Sequence, residues 1–148
     1  MDKKAILVAL MAIACLSVMS FSYSLQVGYF DSSFGVMLTQ GGGNLYISTA
    51  LSGNQTAFLL SQRLGMKWQI PKNNPIITMI VGGIDTSLLF AFNGTNAILF
   101  SVFAEGELKF HNFEITLGFF KGLKAINDSA QFVNFALWSP EVKVGYRW

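Results

Sequence analysis

The chain has 148 residues, of which 52% are hydrophobic and 12% charged, with 10 Lys and Arg against 8 Asp and Glu. Water-soluble domains usually carry about a quarter charged residues, so a domain this small is short of the polar surface it would need in water. The near balance of charge, with Lys and Arg scattered rather than clustered, excludes nucleic acid as an expected partner, and one Cys, Cys15, excludes a disulfide framework.

The N-terminus opens with the charged Met1-Asp2-Lys3-Lys4, continues through the uncharged apolar run Ala5 to Met19, and reaches the small residues of Ser22-Tyr23-Ser24. This order predicts a secretory signal over residues 1–24 and a single domain over 25–148. Two alternatives stand beside it. The apolar run is near the lower length limit for a membrane-anchoring helix. Ala12-Ile13-Ala14-Cys15 resembles a lipoprotein signal, though cleavage there would leave Leu16, Val18 and Phe21 as an apolar start.

From residue 25 onward the period is two. The apolar parity changes between Tyr29 and Phe34, so Asp31-Ser32-Ser33 is either a turn or a bulge. Thr56 to Ile70 is the longest regular run, with Phe58, Leu60, Leu64, Met66, Trp68 and Ile70 on one face and Ser61, Arg63, Gly65, Lys67 and Gln69 on the other. Thr86 to Phe92 sets Leu88, Phe90 and Phe92 opposite Ser87, Leu89 and Ala91. Ala97 to Ala104 sets Ile98, Phe100 and Val102 opposite Ala97, Leu99 and Ser101. Phe113, Ile115, Leu117 and Phe119 face away from Glu114, Thr116 and Gly118. Lys121 to Trp138 is ambiguous, because Leu123, Ile126, Ala130, Val133 and Leu137 also fit a helical stripe. The final segment alternates throughout, with Val142, Val144, Tyr146 and Trp148 on one side and Glu141, Lys143, Gly145 and Arg147 on the other.

Turn signals separate these runs at Gly41-Gly42-Gly43, Ser52-Gly53-Asn54, Pro71-Lys72-Asn73-Asn74, Gly82-Gly83, Asn93-Gly94, Glu105-Gly106, Asn127-Asp128-Ser129 and Ser139-Pro140. Short connections make antiparallel neighbours, and such a meander removes its exposed edges by closing into an up-and-down β-barrel. Eight turns would give nine strands, an odd count for a closed barrel whose ends return to one side. About eight strands fits the spacing best, with ten if Asp31-Ser32-Ser33 is a further turn.

The charged start, the alternating strands and the terminal Val144-Gly145-Tyr146-Arg147-Trp148 resemble the small bacterial outer-membrane β-barrel proteins. The resemblance implies an outer-membrane location, lipid as the surrounding partner, and insertion by the barrel-assembly machinery. It makes Val142, Val144, Tyr146 and Trp148 the insertion strand, with Trp148 where Phe is commoner. In such a barrel polar side chains point inward, so Arg63, Lys67, Glu114, Glu141, Lys143 and Arg147 are expected to form an interior network in a filled lumen, and Trp68 joins Tyr146 and Trp148 as a candidate interface anchor. A narrow pore is the alternative for the same lumen. The rival fold is a soluble, lipocalin-like carrier of a small hydrophobic ligand, which reverses the greasy face.

Catalysis is not expected. His111 has Glu107, Lys109 and Glu114 nearby in sequence, but no nucleophile motif surrounds any Ser. Nor is a metal or cofactor expected: with one His and dispersed carboxylates there is no ligand spacing, and Gly41-Gly42-Gly43 lacks the Lys and helix of a phosphate loop. The expected role is structural, in membrane integrity.

Overall fold

The computed structural model describes residues 22–71, 79–128, 132–134 and 138–148. The strands are β1 (Ser22–Phe30), β2 (Ser33–Gly42), β3 (Leu45–Gly53), β4 (Ala57–Gln69), β5 (Met79–Ala91), β6 (Asn96–Phe110), β7 (Phe113–Asn127), the short β8 (Phe132–Asn134) and β9 (Trp138–Arg147). Each pairs antiparallel with its neighbour from β1 to β7. β8 and β9 both lie along β7, through Ala125↔Val133 and Ile115↔Val144, so together they form one interrupted strand. β9 then pairs with β1, from Ser24↔Arg147 to Tyr29↔Val142, and the sheet closes as an eight-stranded antiparallel barrel. Closure leaves no long open edge, which is how alternating strands of this length avoid pairing with other chains.

The turns follow local chemistry. Asp31 and Ser32 both have positive φ, 51° and 60°, and join β1 to β2 as a two-residue hairpin whose backbone twist matches its strands. Asn54 accepts hydrogen bonds from the backbone N–H groups of Thr56 and Ala57, and Asn93 accepts one from that of Thr95, so each short Asn side chain holds its own turn. Gly43 and Gly94 supply further positive φ.

Three expected turns are strand interiors. Gly82-Gly83 lies within β5, Glu105-Gly106 within β6 and Ser139-Pro140 within β9. Gly83 pairs with Gly65, and a Cβ there would sit 2.1 Å from the Leu64 carbonyl oxygen and 2.5 Å from the Gly65 Cα, so this glycine permits backbone approach rather than a reversal. Pro140 lies beyond the last β1–β9 pair, where one flank of the strand has no ladder to donate to. The β6–β7 reversal instead falls on His111 and Asn112, with His111 at φ 57°. Losing three of the eight expected turns and gaining those at Asp31-Ser32 and His111-Asn112 leaves seven, which makes eight strands with β8 and β9 counted as one. Residues 121–127 continue β7 as strand; 129–131 and 135–137, the remainder of the stretch with a helical stripe, lie outside the described residues apart from β8.

The expected domain start at Leu25 falls inside β1. Ser22, Tyr23 and Ser24 already pair with Gly41, Gln40 and Thr39.

Candidate functional site: a charged lumen inside an apolar wall

Alternation puts every second side chain inside the barrel, where buried polar residues outnumber apolar ones such as Phe30, Met37, Tyr46, Val81 and Phe103. Ser24, Gln26, Thr39, Ser48, Ser61, Arg63, Lys67, Asp85, Ser87, Ser101, Glu105, Glu107, Glu114, Thr116, Ser139, Glu141 and Lys143 are all buried. The opposite parity is apolar and exposed: Leu25 and Val27 on β1, Val36 and Leu38 on β2, Leu64 and Met66 on β4, Ile84 on β5, Leu117 on β7, Val142 and Val144 on β9. Thr49, Gln62 and Thr86 form an uncharged polar patch on this wall, with Gln62 Nε2 donating to Thr49 Oγ1 at 2.6 Å.

Aromatic side chains gather toward both ends of the outer wall. At the end carrying the strand termini, Tyr23 stacks near Trp148 and Phe113 meets Tyr146 edge-on, and Trp68 and Phe110 are exposed at the same end of β4 and β6. At the other end Tyr29 meets Phe34, Phe58 stacks on Phe90 at 4.8 Å, and the Lys121 ammonium lies over the Trp138 ring. Phe34 is 72% exposed and Trp138 65%, although both are large apolar surfaces that water does not favour.

Inside, Arg63 is the hub. Its Nε donates to Asp85 Oδ2 at 3.0 Å, Nη1 to Glu105 Oε1 at 2.6 Å and to Glu141 Oε2 at 2.8 Å, and Nη2 to Asp31 Oδ1 and Glu141 Oε1, both at 2.5 Å. All five guanidinium hydrogens are thereby used on four carboxylates, and Glu141 is held by the two-pronged fork that only Arg offers. The guanidinium also lies 5.0 Å from the centre of the Phe103 ring. Lys143 Nζ adds a bond of 2.5 Å to Glu105 and lies 3.8 Å from Glu141. Four carboxylates thus face two cations, all of them with fully buried side chains.

A second group lies nearer the termini. Glu114 accepts from the Ser24 hydroxyl and, at 2.5 Å, from Gln26 Nε2, and lies 3.1 Å from Arg147 Nη2. Glu107 lies 3.6 Å from Lys109 Nζ and 3.8 Å from Arg147. Lys67 lies over the Tyr46 ring, 5.5 Å from its centre. At the opposite end the lumen turns apolar, where Leu59, Leu99 and Ala125 pack with Leu89 and Ala97.

The six residues expected in the interior therefore fall in two groups: Arg63, Glu141 and Lys143 meet at the hub, whereas Lys67, Glu114 and Arg147 lie toward the termini. Asp31, Asp85, Glu105, Glu107 and Lys109 were not among them: the glycines near Asp85 and Glu105 read as turns that cut β5 and β6 short, and Asp31 reads as a turn or bulge residue. Parity would have found most of them. Carried past Ala104, the alternation of β6 puts Glu105, Glu107 and Lys109 in step with Leu99, Ser101 and Phe103, and that of β5 puts Asp85 in step with Ser87. Val142, Val144, Tyr146 and Trp148 all face outward. His111 is exposed at its turn, apart from the buried Glu107 and Glu114. Among the described residues no group of His, Cys, Asp or Glu is arranged to hold a metal ion.

The arrangement defines an eight-stranded barrel with an inverted polarity, charged within and apolar without. No family model, no curated protein and no solved structure matches the chain.

Proposed function

We propose that this chain is a small outer-membrane β-barrel with a filled polar interior and a structural role in membrane integrity. The observation that carries the reading is the inverted polarity. A soluble barrel holding an apolar ligand needs an apolar lumen and a charged coat. Here Arg63, Lys143 and their carboxylates are enclosed, while Leu64, Ile84, Val142 and Val144 face outward. Lipid is the solvent in which such a wall costs nothing, and a closed ladder leaves no backbone group unpaired against it. The aromatic residues toward the two ends match the interfacial girdles of membrane barrels, with Trp68, Tyr146 and Trp148 as anchors at one of them. An address of this kind requires export through the N-terminal signal and insertion by a barrel-assembly machinery that reads the β9 pattern ending at Trp148.

The lumen favours a plug over a pore. Its largest enclosed side chains, Arg63, Tyr46, Phe30, Lys143, Met37 and Gln26, cross the space that an eight-stranded barrel has to offer. The reading assigns the protein no reaction and no cofactor. Reconstitution of the folded protein in planar bilayers tests this point: a filled barrel leaves the conductance of the bare membrane unchanged, and discrete single-channel steps would replace the structural role with that of a narrow pore.

A further inference from the structure

Two of the hub carboxylates are joined by more than Arg63. Asp31 Oδ2 lies 2.7 Å from Ser61 Oγ, Ser61 Oγ lies 2.8 Å from Ser87 Oγ, and Ser87 Oγ lies 2.9 Å from Asp85 Oδ1. Each of these is a hydrogen-bond distance, and each hydrogen bond needs one proton between its oxygens. The two serine hydroxyls supply two protons, and an ionised carboxylate supplies none. Three contacts require a third proton. Arg63 limits where it can sit, since Nη2 donates to Asp31 Oδ1 and Nε to Asp85 Oδ2, which leaves Asp31 Oδ2 and Asp85 Oδ1 as the two ends of the chain.

We propose that Asp31, Ser61, Ser87 and Asp85 form a proton-binding relay in the lumen, in which two carboxyl groups share one proton through two hydroxyls. With the proton on Asp85, Asp85 donates to Ser87, Ser87 to Ser61 and Ser61 to the Asp31 carboxylate. Transfer reverses the chain: Asp85 gives its proton to Ser87 as Ser87 passes its own to Ser61 and Ser61 passes its own to Asp31. Three O–H bonds break and three form, and the pair carries one negative charge before and after.

A separate observation points the same way. The hub holds two more carboxylates than cations, and among the described residues Glu105 Oε2 is buried without a hydrogen-bond partner. Buried charge without compensation is costly, and a bound proton removes one unit of it. The charged groups facing the relay are Arg63 from β4, Glu105 from β6, and Glu141 and Lys143 from β9; β2 and β3 contribute the hydroxyls of Ser33, Ser48 and Ser52, and Glu114 of β7 is engaged with Ser24, Gln26 and Arg147. The relay is a property of the lumen, and holds whether lipid or water meets the outer wall.

Infrared spectroscopy of the folded full-length protein in detergent micelles at neutral pH tests it. The expected result is a protonated-carboxyl C=O band of one group per barrel that shifts in D2O and shifts again when only aspartate is labelled with ¹³C at its side-chain carboxyl. Asp31→Asn and Asp85→Asn should each abolish the band. In either variant Arg63 takes the amide oxygen, the amide N–H supplies the third hydrogen, and the remaining carboxylate ionises. No such band in the wild type overturns the relay, as does a band that ignores aspartate labelling, which would place the proton on a glutamate such as Glu105. A band that persists in either folded Asn variant also overturns it.

Discussion

Replacing Arg63 with Ala removes five hydrogen-bond donors and the hub's only guanidinium from a site where every partner is buried. Lys143 remains for Glu105 and Glu141, but among the described residues Asp31 and Asp85 form their ion pairs with Arg63 alone. Deleting one partner of a buried ion pair costs about 3–5 kcal/mol, because the other charge stays buried without compensation. Asp31 and Asp85 then leave the one negative charge they share buried without a cation, and the expected loss is about 4 kcal/mol, roughly three orders of magnitude in the folding constant. With a urea slope of about 2 kcal/mol/M, the unfolding midpoint falls by roughly 2 M. The assay is reversible urea unfolding in lipid vesicles, followed by tryptophan fluorescence and by electrophoretic mobility without heating. Arg63→Lys, which keeps the charge but loses the fork to Glu141, should fall between wild type and Arg63→Ala. Adding Asp31→Asn and Asp85→Asn to Arg63→Ala should recover at least about 1 kcal/mol, since the negative charge that the two aspartates share is then gone. An Arg63→Ala protein within about 1 kcal/mol of wild type would refute the assignment of Arg63 as the electrostatic centre of the lumen.

Ile84→Lys places an ammonium near the middle of the outer wall, where Ile84 is 57% exposed. In vesicles this should cost about 2–4 kcal/mol, the loss for a charge at the bilayer midplane, and an effect within about 0.5 kcal/mol would instead fit a water-facing wall. Gly83→Ala drives a Cβ into the Leu64 carbonyl and Gly65 Cα, backbone atoms that cannot rotate away, and should lower stability by about 1–3 kcal/mol or more in the same urea titration. Ser24 is buried and bonded to Glu114, and Ser22–Ser24 pair with β2, so a mature chain carrying the whole of β1 should begin at or before Ser22. Mass spectrometry of the processed protein reads this directly, and a terminus at Leu25 would contradict it.

The sequence revealed the barrel wherever one parity stayed apolar for a whole strand. Phe58 to Trp68 and Val142 to Trp148 are such stretches, and Arg63, Glu141 and Lys143 could be placed inside from them alone. It was less legible where small residues interrupt the pattern. Gly82, Gly83 and Gly106 have the chemistry of turns, yet in a barrel this narrow facing backbones crowd one another, and Gly65 and Gly83 meet where no Cβ fits. Reading those glycines as reversals cut β5 and β6 short and hid Asp85 and Glu105. Asp31 was hidden differently. It is a turn residue in chain terms, and only closure of the barrel brings its carboxylate to Arg63, 32 positions away. The serine chain from Asp31 to Asp85 depends on the same closure.

Whether the barrel resides in a membrane is read by fractionating cells that express the full-length chain and running the membrane fraction on a gel with and without boiling. The protein should stay with the outer membrane, need detergent for extraction, and migrate differently once heat opens the barrel. A protein recovered in the soluble fraction, with one mobility before and after boiling, would contradict it.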